Sequence, residues 1–443
     1  MVPLYTSVLS PNDYGVSDII NTTVSLLLPF LTLCISDAVL RFSIEDQKNS
    51  SVAFSLGLKI CLLGTVITTI LIPILSSYLR LGTFAVYIPV LFFTNSISNL
   101  LIKIARGINR IKDSVIAAVI QTFSVVAFNL IFLLWLRLGI TGYLLSFALG
   151  GIILIIYLSI RCRIWEYVKY VKFDKSVSEY IKYSTPLIPN TLSWWLVDSA
   201  SKYILQYFVG LAAVGIFSAA NKAPAIIIVL SNIFMEAWLL SVIKEYNSPD
   251  SKEYIQKAYK LYAFAMMLFS MLVIICAYPI SCLLLKGEFI NGWVYVPILI
   301  CVPYFGGLSG FLGTIYSAEK CTNLYFISTL IGGVFSIVIS CLLVEKLELY
   351  GVAISCVLGN IVIWIIRLMT THKFVNMKLN ILIEVFNLLS LSGTAVFTIY
   401  KYPGFAILCL VLFIAINYKQ GCFLFKKLIN IGSLYIINSR RYN

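Results

Sequence analysis

Apolar residues fill this chain in long blocks separated by short polar connections. Thirteen blocks are of a length to cross a bilayer, which takes roughly 20 helical residues: 17–38, 52–79, 82–105, 114–136, 139–160, 183–209, 212–241, 259–285, 290–316, 323–344, 349–369, 380–400 and 403–418. A helix is the expected form of each, because lipid offers no hydrogen-bond partner to an open backbone. Pro29, Pro73, Pro89, Pro297, Pro303, Gly306 and Gly307 interrupt the blocks. Such breaks are tolerated beside cavities and often mark moving parts.

The polar residues inside the blocks are ordered too. Asp18, Thr22, Ser25, Pro29, Thr32 and Ser36 step by four and three, which puts them on one helix face. Thr191, Trp195, Asp198, Lys202 and Gln206 do the same in the sixth block, with Asp198 and Lys202 spaced as an i, i+4 ion pair. Asn95, Asn99 and Lys103 form a third stripe, Ser218, Lys222, Asn232 and Glu236 a fourth, and Lys59 lies in the second block. A charge at mid-bilayer costs roughly 2.5–3.5 kcal/mol. Lys59, Lys202, Lys222 and Asp198 are therefore expected to face a wet cavity, pair, or snorkel. Lys222 lies about 15 Å below the outer end of its block at 1.5 Å per residue, too deep to snorkel easily. Deep charges that are mostly positive suit an anionic cargo such as a phosphate or diphosphate head group. Lys222, Lys202, Lys59, Asn95, Asn99 and Gln206 are the candidate substrate contacts. Asp198, Asp18 and Glu236 are the candidates for ion coupling.

Composition agrees with a membrane chain. Of 443 residues, 60% are hydrophobic and 12% charged, against about 45–50% and 25% in soluble domains. A cytosolic enzyme, a nucleic-acid-binding domain and a disulfide scaffold are excluded on that ground. The net charge of +14 is explained by placement. Twenty-five Lys and Arg fall on alternate connections and the C-terminal tail, and five on the intervening ones. That asymmetry puts the tail in the cytoplasm. The eleven cysteines have no paired spacing and His372 stands alone, so no metal or other cofactor is expected.

Two short internal matches point to a repeat. Residues 142–156 and 351–365 share Gly, Ser, Leu, Gly and Ile at an offset of 209, and Tyr-Gly-Val at 14–16 matches Val-Gly-Ile at 214–216 at an offset of 200. The expected fold class is an all-α polytopic membrane protein of two parallel-repeat six-helix bundles plus a C-terminal helix pair. By this repeat the sixth block has no partner, and most of the first helix of the N-terminal half is expected to lie outside the chain. The expected divisions are an N-terminal bundle over 1–160, a basic linker over 161–182, a C-terminal bundle over 183–372, a helix pair over 373–418 and a basic tail over 419–443. The linker and tail are rich in aromatics as well as basic residues and are expected to lie as interfacial helices.

PLYTSVLSPNDYGVSDII at 3–20, Ala38-Val39-Leu40-Arg41-Phe42, WWLVDSASKYILQYFVGLAAVGIFSAANKA at 194–223 and Tyr350-Gly351-Val352-Ala353 resemble bacterial polysaccharide flippases of the Wzx type. These belong to the multidrug/oligosaccharidyl-lipid/polysaccharide exporter superfamily. In that pattern Lys202 and Lys222 take the places of common basic residues. The acidic residue often found before the first of these is here Ser201, with Asp198 three residues earlier. The resemblance implies transport of undecaprenyl-diphosphate-linked repeat units of O-antigen or capsule across the bacterial inner membrane by alternating access. It implies no catalysis, and it names the polysaccharide polymerase and chain-length regulator as partners beside membrane lipids. A lipid II or multidrug exporter on the same fold is the near alternative. A membrane-embedded polymerase or ligase is the distant one, disfavoured by outer connections only a few residues long.

Overall fold

A computed structural model of the chain describes residues 1–47, 50–169, 175–245, 250–319, 321–375 and 380–422. These are almost wholly helical. They form two compact units, Met1–Ser218 and Ala219–Asn443.

The first unit contains α1 (Val2–Val8), α2 (Pro11–Leu31), α3 (Ile35–Glu45), α4 (Ser50–Ile70), α5 (Ile72–Tyr78), α6 (Tyr87–Gly107), α7 (Ile111–Asn129), α8 (Gly139–Arg161), α9 (Lys175–Ser184), α10 (Leu187–Asp198) and α11 (Ala200–Phe208). Most of α12 (Leu211–Ala220) also belongs to it. The second unit holds α13 (Ala225–Glu245), α14 (Ser251–Ile275), α15 (Ala277–Leu284), α16 (Val296–Ala318), α17 (Thr322–Thr371), α18 (Ile381–Ile399) and α19 (Pro403–Ile416).

Nine described helices are long and apolar enough to cross a membrane, or ten when α12 and α13 count as one bent span. At 50 residues α17 is far longer than one bilayer crossing, and Glu348, at φ 45°, divides it in two. Helix covers each of the thirteen apolar blocks, but several are broken. The first block is not one helix over 17–38: α2 ends at Leu31, and left-handed Leu33 and Cys34 precede α3. Pro29, inside α2, lacks the N–H that would bond the Ser25 carbonyl. Ser36 consequently leaves the stripe that begins at Asp18. The seventh block breaks at 221–224, where Pro224 cannot donate to Ala220 and the chain tightens into i→i+3 bonds such as Lys222 N to Ala219 O at 3.1 Å.

In the first unit α6 is central and packs against α2, α3, α4, α7 and α8. The basic linker is helical over α9, as expected, but its apolar face meets protein. Val177 and Tyr180 are buried, and the Tyr180 ring lies 4.5 Å from Phe42 of α3. Arg41 stacks on Tyr183 at 4.5 Å. Residues 170–174 of the linker and 423–443 of the tail fall outside the described residues.

The repeat is visible in how glycines are used. A Cβ at Gly150 would lie 2.4 Å from Val125 of the preceding span, and one at Gly359 2.7 Å from Ser336 of its preceding span. Both glycines of the repeat let a helix close onto its predecessor.

In the second unit α16 packs against α13, α14, α17 and α18. Arg367, on the last turns of α17, is fully buried. Its guanidinium donates to Ser328 Oγ at 3.0 Å, Ser309 O at 2.8 Å and Thr329 Oγ1 at 2.8 Å, and stacks 4.2 Å from the Tyr325 ring. Gly313 leaves the room for that stack, since a Cβ there would meet Tyr325 at 2.5 Å. The planar fork spans three helical segments in a way an ammonium cannot. Arg367→Lys is therefore expected to cost more stability than Arg367→Met, because it keeps a buried charge while losing its acceptors. The lysine variant should lose on the order of 3 kcal/mol, read as the lower melting temperature of the two in detergent.

Candidate functional site

The exposed residues in the middle of α6 are polar where a lipid-facing surface would be apolar. Nearly all of α6 is covered by its five neighbours, and Asn95 and Asn99 are exposed on what remains. One turn on, Lys103 Nζ pairs with Asp37 Oδ1 of α3 at 2.7 Å.

A second polar group lies along α2, α10 and α11. Lys202 Nζ binds Asp18 Oδ2 at 2.8 Å, and both side chains are only 15% exposed. Ser218 Oγ donates to the same oxygen at 2.7 Å. The Tyr203 hydroxyl meets Thr23 Oγ1 at 2.7 Å, and the Trp195 indole N–H donates to Thr22 O and Ser25 Oγ, both at 3.2 Å. Position 202 thus lies beside 18, and 195 beside 22 and 25, so α2 runs antiparallel to α10–α11.

The partner of Lys202 corrects the sequence expectation. Asp198 is the last residue of α10, and Ser199 leaves the helical region at φ −131°. The i, i+4 register is lost there, so Lys202 turns to Asp18 and Asp198 is left exposed. Lys59 is exposed on α4. Gln206 donates its amide to the Leu79 carbonyl at the end of α5, which ties it to backbone. In the second unit, Lys222 is exposed in the break at 221–224 and Glu236 is exposed on α13. The site brings together Asp18 and Lys202 from the sequence list. Sequence reading missed Asp37, and it placed Ser218 in a polar stripe without its partner, because neither has a local spacing that reveals a distant contact.

Above the ion pair, α2 and α12 cross almost backbone to backbone. A Cβ at Gly15 would stand 1.9 Å from Leu211 O, and one at Gly215 would stand 1.9 Å from Pro11 O. Residues 11, 15 and 18 meet 211, 215 and 218, the offset of 200 read from the sequence.

Residues 1–240 match the family described as polysaccharide biosynthesis protein, which takes in the whole first unit. The chain belongs to that family. Comparison with curated protein sequences gives no match. Among solved structures the chain resembles an inward-facing multidrug resistance MATE family transporter of the MOP superfamily, with a TM-score of 0.66 and 20% identity over 84% of this chain and 93% of that one. An outward-facing structure with the same family description gives 0.56 and 21%, covering 86% and 92%. A MOP superfamily transporter from Pyrococcus furiosus, described as having a binding pocket of reverse polarity, gives 0.56 and 18%, covering 84% and 91%. The fold is that of MOP superfamily transporters, and the chain is a multi-pass membrane protein. Among the described residues no group of three or more His, Cys, Asp or Glu is placed to hold a metal.

Proposed function

We propose that the protein is a flippase for undecaprenyl-diphosphate-linked oligosaccharide repeat units of O-antigen or capsule. It would work by alternating access in the bacterial inner membrane with its C-terminus in the cytoplasm. The observation that carries the reading is the set of polar side chains inside the first unit's helices, the exposed Asn95 and Asn99 and the largely buried Asp18–Lys202 pair, on a chain that belongs to a polysaccharide biosynthesis family. Asn95 and Asn99 offer amides suited to sugar hydroxyls. The amines of Lys59 and Lys222 suit a diphosphate, and Lys222 stands at a broken helix of the kind that marks transporter binding sites. The diphosphate competes with Asp18 for Lys202, so cargo binding and carboxylate release are one exchange. Asp198 and Glu236 are the further candidates for coupling an ion to that exchange. The polymerase and chain-length regulator remain the proposed protein partners.

A multidrug exporter is the second reading. The neutral Asp18–Lys202 and Asp37–Lys103 pairs favour it, because they leave this set less cationic than the sequence suggests.

Complementation of a flippase-null strain separates the two. Lys222→Ala and Lys59→Ala should each lower surface glycan at least about tenfold, the loss of one charge-assisted contact, with protein level and drug resistance unchanged. Normal glycan in both variants overturns the proposal, and a loss of drug resistance alone favours the second reading.

A further inference from the structure

The second unit holds a polar hollow of its own. A partly open cavity of about 70 Å³ lies among α14, α16, α18 and α19, with Lys260, Glu384, Asn387, Asn417 and Tyr304 on its wall. Asn417 Nδ2 donates to Asn387 Oδ1 at 2.8 Å, and Asn387 in turn hydrogen-bonds the Glu384 carboxylate. Both asparagines are buried. Asn417 also donates to the Phe413 carbonyl at 3.0 Å, so its amide braces Asn387 beside Glu384. Lys260 is half-buried on the wall and within electrostatic reach of Glu384, and among the described residues the two do not close to an ion pair. An ammonium and a carboxylate thus line one small hollow without closing on each other.

The position of the cavity says which kind of molecule reaches it. Asn380 caps the start of α18 through Leu382 N at 3.1 Å, and α19 ends at Ile416. Glu384 is in the first turn of α18. The hollow therefore lies where these helices meet the membrane–water boundary. Its other wall is apolar, with the Phe264 and Phe413 rings stacked at 5.3 Å.

We propose that this cavity is a lipid site for a phosphoethanolamine head group. The ammonium of the head donates to Glu384, its phosphate accepts from Lys260, and the glyceryl end leaves over the Phe264–Phe413 wall. Opposite charges set apart match a zwitterion, whereas a purely anionic head would meet Glu384 and a purely cationic one Lys260. The apolar wall favours a lipid over a soluble zwitterion of the same chemistry.

Native mass spectrometry of the purified full chain tests this with phosphatidylethanolamine, phosphatidylcholine and phosphatidylglycerol in competition. Phosphatidylethanolamine should be retained about tenfold over the other two, since the quaternary ammonium of choline donates no hydrogen bond and glycerol carries no charge for Glu384. Glu384→Gln and Lys260→Gln should each remove that preference at an unchanged melting temperature. Millimolar O-phosphoethanolamine should not displace the lipid. Equal retention of the three lipids by the unaltered chain overturns the proposal, independent of how the variants fold. Displacement by O-phosphoethanolamine overturns the lipid assignment in favour of a soluble zwitterion.

Discussion

Gly15→Ala should disable the protein although it adds a single methyl group. The new Cβ would stand 1.9 Å from the Leu211 carbonyl oxygen, more than 1 Å inside ordinary contact, and the obstacle is backbone. A side chain would swing aside; a helical carbonyl cannot. The helices α2 and α12 must separate, and the contacts below them go too: Ser218 to Asp18 at 2.7 Å and Lys202 to Asp18 at 2.8 Å. Overpacking of this kind costs about 1–3 kcal/mol before those losses are counted. Gly215→Ala should cost as much, because its Cβ meets Pro11 O at the same 1.9 Å. The double variant should cost little more than either one, since a single separation of the helices relieves both clashes. Gly404→Ala, with nothing within 4 Å, is the matched control. Melting temperature in detergent and surface glycan in a complemented strain are the two readouts. Additive losses would mean that the two clashes are relieved separately and that the crossing is not one contact.

That crossing also marks what the sequence can and cannot tell. The offset of 200 was legible because a repeat leaves the same residue type at equivalent positions, and Gly15 and Gly215 survive as a matched pair. That the two copies touch each other was not legible, since nothing in an offset distinguishes copies in contact from copies far apart. The number and order of apolar blocks were legible for a thermodynamic reason: lipid demands continuous apolar surface and an internally bonded backbone. The breaks were only partly so. Pro224 signals the interruption at 221–224 through its missing N–H, but Ser199 carries no such mark, and there periodicity gave Lys202 the wrong partner. Helical spacing assigns charge pairs only while the helix continues. The Asn417–Asn387 contact was invisible for the same reason as the partners of Asp37 and Ser218: its two members come from different helices, and ordinary polar residues in apolar runs read as helix–helix glue.

Neutralising either member of the Asp18–Lys202 pair should be worse than neutralising both. The pair is largely buried, so Lys202→Ala leaves a carboxylate with Ser218 as its remaining donor, and Asp18→Asn leaves an ammonium facing an amide. Breaking one side of a buried pair costs about 3–5 kcal/mol, and the 15% exposure of each side chain puts the expectation at the lower end. Asp18→Asn with Lys202→Gln removes both charges at similar volume, keeps hydrogen-bonding groups, and should melt close to the unaltered protein. Export separates structure from function in that double variant. If the pair were only a brace between α2 and α11, recovered folding would bring recovered surface glycan. If the diphosphate takes Lys202 from Asp18 during transport, the double variant folds, reaches the membrane and exports nothing. The second outcome is the expected one, because the carboxylate and the cargo are then rival anions for one ammonium. Exchanging the residues, as Asp18→Lys with Lys202→Asp, sharpens the point: a brace tolerates the swap, but a phosphate site whose ammonium has moved to α2 does not.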